Sequence, residues 1–227
     1  MPYGLAPITV SSRPFFSVGS DKLYLGFITL EDTCMNITRR WVSGIAIVLL
    51  MLVASVSVVF GQDARGRWDI VSVDFAASPV TVSAGGVAAA LANDGSIIKL
   101  TGSGTFTAFD PTDVTGGGTW ETSGPVGTAR GTYAVTELVQ FEEAPGTPNP
   151  ANIDNIGDPA DAHAGLVVLR IAYSDGSRGI LVVSCGLTGT PNTVFEGVTA
   201  SKDFVDFWQR VPAVPGIATN RTLFHVQ

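Results

Sequence analysis

Beyond residue 62 the chain consists of short apolar runs separated by glycine and polar turn residues. The runs are rich in Val, Thr, Ile and aromatic residues, which favour strands, and they are too short for long helices. Clear examples are residues 68–75, 131–141, 166–173 and 179–185. About seven to nine short strands joined by tight turns are typical of a barrel or sandwich. The sequence therefore predicts an all-β fold, an antiparallel meander that closes into a barrel or a β-sandwich.

Local turn chemistry predicts how some of these strands connect. The tripeptide Asn-Asp-Gly at residues 93–95 indicates a type I′ hairpin, because Asp-Gly readily adopts the positive φ angles of that turn. Residues 96–109 then predict one long strand, in which Gly102 and Gly104 allow a bulge or a sharp bend. Residues 110–113, Asp-Pro-Thr-Asp, predict the next turn.

The last part of the chain has a weaker pattern. Residues 200–211 fit either an amphipathic helix or a strand, because Phe, Val and Trp occur at spacings compatible with both. The strand is the preferred interpretation. Residues 212–227 begin with two prolines and a glycine and lie at the chain end, which predicts an irregular wrap or a frayed terminus.

An uncharged apolar run at residues 41–60 directly follows Arg39 and Arg40. This order is that of a secretory signal peptide, and the arginines favour the cytoplasmic side of the membrane. Because Met35 starts a typical signal sequence, we expect residues 1–34 to be a misassigned upstream extension and residues 35–61 to be the signal peptide. The run can also span a hydrocarbon core of about 30 Å, so an uncleaved N-terminal anchor helix is the alternative.

The predicted exported domain, residues 62–227, is acidic, with seventeen acidic and nine basic side chains. No basic stripe is available to bind phosphates, which argues against a nucleic-acid partner. We expect a secreted or extracellular protein that contacts the membrane only through an uncleaved leader. The sequence contains no motif that implies a cofactor, and the acidic domain rich in Gly, Thr and Ala fits a bacterial exoprotein.

A Gly-Thr-aromatic triplet occurs three times, and its aromatic residues are Phe106, Trp120 and Tyr133. The intervals of 14 and 13 residues equal about one strand and one turn, so consecutive strands should carry the triplet. Two interpretations follow. The three aromatic side chains form a ligand-binding platform, or they face inward and pack in the core, which is the simpler reading because aromatic residues dominate sheet cores.

Short motifs in the domain resemble those of small-ligand-binding barrels. Gly66-Arg67-Trp68 looks like the Gly-x-Trp that opens the first strand of lipocalins, and the Gly-Thr-Trp and Gly-Thr-Tyr triplets are similar to those of avidin-like barrels. Together they resemble the calycin group. The resemblance covers only scattered tripeptides, and the glycine-rich strands and missing disulfide pair depart from lipocalins. It implies a barrel with Trp68 packed at its floor, and no ligand contact is carried over.

The longest predicted loop, residues 144–164, concentrates acidic and amide side chains. Asp154, Asp158 and Asp161 are candidate calcium ligands, because Ca²⁺ prefers hard oxygen donors at alternating positions. Ile156 occupies a position where such a loop needs a ligand. The alternative is a solvated loop, since Asp, Asn and Pro favour turns without any metal.

His163 is the candidate general base in the middle of the domain. It could pair with Asp158, Asp161 or another acid and activate Ser184 or a water molecule. The sequence contains no Gly-x-Ser-x-Gly elbow and no His-Glu-x-x-His motif that would fix such a geometry. It therefore does not decide whether the protein is an enzyme, although a non-catalytic role is preferred.

These observations predict a secreted or cell-surface, non-catalytic β-domain that binds a small apolar ligand or mediates surface interactions. The alternative is a secreted hydrolase or isomerase with its active site around His163.

Overall fold

The computed structural model describes residues 64–125 and 127–227. The predicted extension and the signal or anchor helix, residues 1–61, lie outside the described residues. The described part contains fifteen strands and one short 3₁₀ helix, and no helix in it has the length and apolar character needed to cross a membrane. The strands are β1 (Arg65–Asp74), β2 (Thr81–Ala84), β3 (Ala88–Leu91), β4 (Ile97–Leu100), β5 (Ser103–Thr107), β6 (Asp110–Val114), β7 (Gly117–Gly124), β8 (Gly127–Ala144), β9 (Ile153–Asp154), β10 (Ala162–Tyr173), β11 (Arg178–Cys185), β12 (Gly197–Lys202), β13 (Val205–Phe207), β14 (Gln209–Arg210) and β15 (Arg221–Val226), and the 3₁₀ helix is Pro159–Asp161.

Six of the strands form a closed antiparallel barrel. They pair in the order β1, β5, β7, β8, β10 and β15, and β15 pairs again with β1. Closure leaves none of these six strands with a free edge, which is how barrels avoid edge-to-edge association. The predicted all-β fold is therefore confirmed, and of the two predicted architectures the structure has the barrel.

The remaining strands extend the barrel wall. Strands β11, β12 and β13 continue the sheet from β10, and β4, β3 and β14 continue it from β7. Strand β6 pairs with β5, and β2 pairs with β1. The short strand β9 pairs in parallel with β2, which holds the segment between β8 and β10 against the outside of β1.

The Gly-x-aromatic triplets pair with one another in the barrel wall. In the register of β1 with β5 and of β7 with β8, the facing residues are Gly66 with Phe106, Trp68 with Gly104, Gly118 with Tyr133, and Trp120 with Gly131. A side chain at Gly66 would overlap the ring of Phe106, and one at Gly131 would lie within 3 Å of the Trp120 indole. The rings of Phe106 and Trp120 therefore lie over the glycines that face them, which is how aromatic residues compensate glycine in strands.

The predicted hairpin at residues 93–95 forms, but its type is not I′. A hydrogen bond from Gly95 N to Ala92 O closes the turn, and of the loop residues only Gly95 has a positive φ, of 83°. A type I turn followed by one left-handed residue is the usual three-residue hairpin loop. Asp94 supports it by accepting a hydrogen bond from Ser96 N at 2.9 Å.

Two further predictions in this region are wrong. Residues 96–109 do not form one strand, because β4 ends at Leu100 and β5 begins at Ser103, with Gly102 at φ 149° in the break. Residues 110–113 are not a turn but belong to β6. The chain reverses just before them, where Phe109 has a φ of 68°.

The interpretation of residues 200–211 as strand rather than helix is confirmed, since they lie in β12, β13 and β14. The prediction of an irregular or frayed C-terminus is wrong. Strand β15 lies in the barrel wall between β1 and β10, and its residues from Thr222 to Val226 are all buried. Within the range 212–227, the predicted irregular backbone is found at residues 212–220, which contain Pro212 and Pro215.

Candidate functional site

A cleft of about 490 Å³ opens where β1 begins and β15 ends. Neighbouring strands of the barrel form one side of it, and the segment between β9 and β10 forms the other. The strands contribute, among other residues, Arg65 and Arg67 of β1, Thr105 and Thr107 of β5, and His225 and Gln227 at the end of β15.

Strand register explains why these side chains share one surface. Arg67 lies opposite Thr105 on one neighbouring strand and opposite His225 on the other. Because side chains alternate along a strand, Trp68 and Phe224 point to the opposite face, where both are completely buried. The first and the last barrel strands therefore present polar side chains outward from an apolar core.

His225 is held by Asp154 of β9, at the start of the segment between β9 and β10 that covers this histidine. Its Nε2 lies 2.9 Å from Asp154 Oδ2, and both side chains are less than 10% exposed, at 7% and 8%. Since a carboxylate accepts, Nε2 donates, and Nδ1 is then an acceptor in the neutral ring. This Nδ1 is buried and has no hydrogen-bond partner among the described residues.

The covering segment is fixed closely over the imidazole. Asp154 Oδ1 accepts a hydrogen bond from Ile156 N at 2.8 Å, which turns the chain immediately after β9. Any side chain at Gly157 would lie within 3 Å of the His225 ring. A glycine is therefore needed where the segment crosses the histidine.

Arg67 and Asp69 form a second charged pair beside His225. Arg67 Nε donates to Asp69 Oδ2 at 2.7 Å and Arg67 Nη2 donates to Asp69 Oδ1 at 2.9 Å. The Asp69 side chain is 1% exposed and that of Arg67 is 41% exposed. Burial raises the pKa of Asp69 above its ordinary value, and the hydrogen bonds from Arg67 oppose that shift. Arg67 thus compensates a buried carboxylate while its own side chain borders the cleft.

Three more carboxylates line the cleft, and each accepts a hydrogen bond from a neutral donor. Asp113 accepts from Thr107 Oγ1 at 2.6 Å. Asp161 accepts from Gln227 Nε2 at 2.7 Å. Asp158 accepts from the backbone N of Ala160 at 2.9 Å and caps the 3₁₀ helix. None of these three carboxylates forms an ion pair with a described residue.

The candidate general base His163 lies on β10 and pairs with an acid other than Asp158 and Asp161. Its Nδ1 is 2.7 Å from Glu143 Oε1 on the neighbouring strand β8, and both side chains are partly exposed. The candidate nucleophile Ser184 is completely buried, and its hydroxyl donates to Gly165 O at 3.4 Å. The structure therefore pairs His163 with Glu143, and Ser184 with backbone.

The candidate calcium ligands Asp154, Asp158 and Asp161 have separate partners. They hold His225, the start of the 3₁₀ helix and Gln227, respectively. Within residues 64–125 and 127–227, no three His, Cys, Asp or Glu side chains are grouped as metal ligands would be.

The candidate platform residues Phe106, Trp120 and Tyr133 are at most 4% exposed and belong to the hydrophobic core. Phe106 packs against Phe141 with ring centroids 4.7 Å apart, and Trp120 packs edge-on against Tyr173 at 5.7 Å. Phe106 borders the cleft, whereas Trp120 borders a different cavity of about 530 Å³. Their surroundings are thus those of packed core residues.

Sequence reasoning missed the residues at the centre of the cleft. His225 falls in the segment that the sequence predicts to be irregular or frayed, and Arg67 is only the variable position of the Gly-x-Trp motif. The available signal was the series Thr222, Leu223 and Phe224 before the histidine, which has strong strand propensity.

No protein-family model, no curated protein and no solved structure matches this chain. The resemblance to calycin-type barrels therefore stays a prediction.

Proposed function

We propose that the β-domain is exported and binds a small polar ligand, without catalysis, in the cleft between β1, β5, β15 and the segment from Asp154 to Asp161. The observation that carries the proposal is the buried His225, whose Nδ1 has no partner among the described residues. A buried polar atom without a partner costs about 1–3 kcal/mol, and native structures contain only a few such atoms, so each one calls for an explanation.

The size and position of the cleft support ligand binding. Its volume of about 490 Å³ falls within the range of small-molecule sites, and the mouths of barrels are frequent locations for them. The sequence alone favoured an apolar ligand. Arginine, threonine, aspartate and histidine side chains around the cleft favour a polar one instead.

An enzymatic role is the weaker alternative, although one observation favours it. Asp154 and His225 form the acid–histidine pair that orients a general base in many hydrolases. A nucleophile bonded to that histidine is the further requirement. The nearby hydroxyls of Thr105 and Thr107 bond to Thr115 and Asp113 instead.

A thermal-shift screen of the full-length chain against mixtures of small polar metabolites tests the proposal. A ligand at a hundred times its Kd adds about 2.7 kcal/mol of stability, which raises Tm by about 5–10 °C in a domain of this size. We expect at least one mixture to produce such a shift.

Two matched variants locate the binding. Thr105 and Thr119 are both exposed strand residues whose hydroxyls bond to another threonine, at 2.7 and 2.8 Å. Thr105→Trp fills the cleft and should abolish the shift, whereas Thr119→Trp should retain it. A shift that survives Thr105→Trp and disappears in Thr119→Trp would contradict the proposal.

A further inference from the structure

The acidic side of the cleft is available to a positively charged group. Asp113, Asp158 and Asp161 accept hydrogen bonds only from a hydroxyl, a backbone amide and a side-chain amide. None of the ion pairs among the described residues involves these three. An ammonium group, with three donors and one charge, complements such a set of carboxylates.

Two arginines also line the cleft. Arg65 and Arg67 are two residues apart on β1, so they lie on the same face of the strand, and both line the cleft. Only two of the five N–H groups of Arg67 are used by Asp69. A guanidinium with donors left over is the side chain best suited to a ligand carboxylate.

Strand register brings the two sides within reach of one small molecule. Arg65 lies opposite Thr107, which bonds Asp113, and its backbone pairs on the other side with Gln227, which bonds Asp161. Adjacent strands are about 4.8 Å apart. A ligand carboxylate bound at β1 and a ligand ammonium group bound at either neighbouring strand can therefore belong to one small molecule of a few heavy atoms.

His225 is an independent sign that the cleft is a binding site. It is 93% buried, lines the cleft beside Arg67, and retains an Nδ1 without a partner among the described residues. In the neutral ring this atom is an acceptor, as the aspartates are. The His225 Nδ1 and the aspartates thus offer acceptors to a ligand group that donates hydrogen bonds.

We infer that the cleft takes a small zwitterion of the amino-acid type. Its carboxylate binds at Arg65 and Arg67, and its ammonium group binds at the aspartates. This inference rests on the proposed function, because it specifies the ligand of the same cleft.

Isothermal titration calorimetry of the full-length chain tests the inference by measuring the affinity for amino acids, each of them in three forms. The free amino acid carries both charges, its amide keeps only the ammonium group, and its N-acetyl derivative keeps only the carboxylate. At least one free amino acid should bind, and both of its blocked forms should bind at least about tenfold more weakly, a difference of about 1.4 kcal/mol. A blocked form that binds as tightly as the free amino acid would overturn the inference.

Charge-removing variants assign the two ends of the ligand. Arg65→Gln should weaken binding of the free amino acid about tenfold or more and leave the affinity for its amide unchanged. Asp113→Asn should also weaken binding of the free amino acid about tenfold or more, but it should leave the affinity for the N-acetyl derivative unchanged. Arg178→Gln, at an exposed arginine of β11, is the matched control and should change neither. Equal weakening by Arg65→Gln and Arg178→Gln would overturn the inference.

The outcomes also separate the inference from the proposed function. If a neutral sugar or another metabolite binds and Thr105→Trp abolishes that binding, the proposed function stands and the zwitterion is wrong. If neither the amino acids nor the metabolite mixtures bind, both are wrong.

Discussion

A chain that ends at Asn220 is expected not to form the barrel. The missing strand β15 pairs with β1 over six residues and also pairs with β10, so its loss opens the barrel between two edges. It also removes Leu223, Phe224 and Val226 from the core. Burial of each such side chain contributes about 1.5–3 kcal/mol, and the total stability of a domain is only about 5–15 kcal/mol. Thermal unfolding followed by circular dichroism should show no cooperative transition.

The segment before β15 provides the control. Residues 212–219 lie outside all strands and are mostly exposed. Replacing them with a Gly/Ser linker of the same length should preserve a cooperative transition close to that of the natural chain. The account of the barrel would be wrong if the chain ending at Asn220 melted at the same temperature as the full-length chain.

Replacement of Glu196 by Ala should destabilise the fold by about 2–5 kcal/mol. Its carboxylate accepts from Gly186 N and from Thr222 N, both at 2.6 Å, and thereby joins the end of β11 to β15. Alanine leaves both backbone donors without a partner, at a cost of about 1–3 kcal/mol each. Chemical denaturation of the two chains gives the difference in the free energy of unfolding.

An exposed glutamate is the matched control for this replacement. Glu137 forms a surface ion pair with Arg170 at 3.0 Å and is 44% exposed. Glu137→Ala should cost at most about 1 kcal/mol, because solvent screens such pairs. Equal losses in the Glu196 and Glu137 variants would refute the bridging role of Glu196.

Glu196 should also make stability depend on pH. Burial raises its pKa from 4.5 to about 7, against the hydrogen bonds from Gly186 and Thr222. Because the folded state binds this proton more tightly than the unfolded state, its contribution to stability is fully present below about pH 4.5 and is lost as the pH rises through about 7. Denaturation between pH 5 and pH 8 should show this decline in the natural chain and a smaller one in Glu196→Gln. Identical slopes would contradict the assignment.

Local sequence patterns identified most of the strands but not the terminal one. Apolar and β-branched residues marked β1, β8, β10 and β11, because each of these strands buries side chains in the core. Strand β15 has the same composition. It follows two prolines and lies at the chain end, where fraying is common, and its pairing with β1 depends on contacts between the two ends of the domain.

The same reason explains why the cleft could not be found from the sequence. Arg67 and His225 are 158 positions apart in the chain and become neighbours only through the register of β1 with β15. The aspartates of residues 144–164 were recognised as a polar cluster. Their hydrogen-bond partners depend on which strands this segment packs against. Examples are the cap that Asp158 forms on the 3₁₀ helix and the pairing of Asp154 with His225.

The most direct test of ligand binding at this cleft is amide chemical-shift mapping by NMR. The full-length chain, labelled with ¹⁵N, is titrated with the metabolite mixture that gives the largest thermal shift. We predict perturbations confined to residues 65–67, 105–107, 113, 156–158, 161 and 225–227, which line the cleft. Perturbations centred instead on Thr101, Thr119 and Glu121, which line the cavity beside Trp120, would contradict the account.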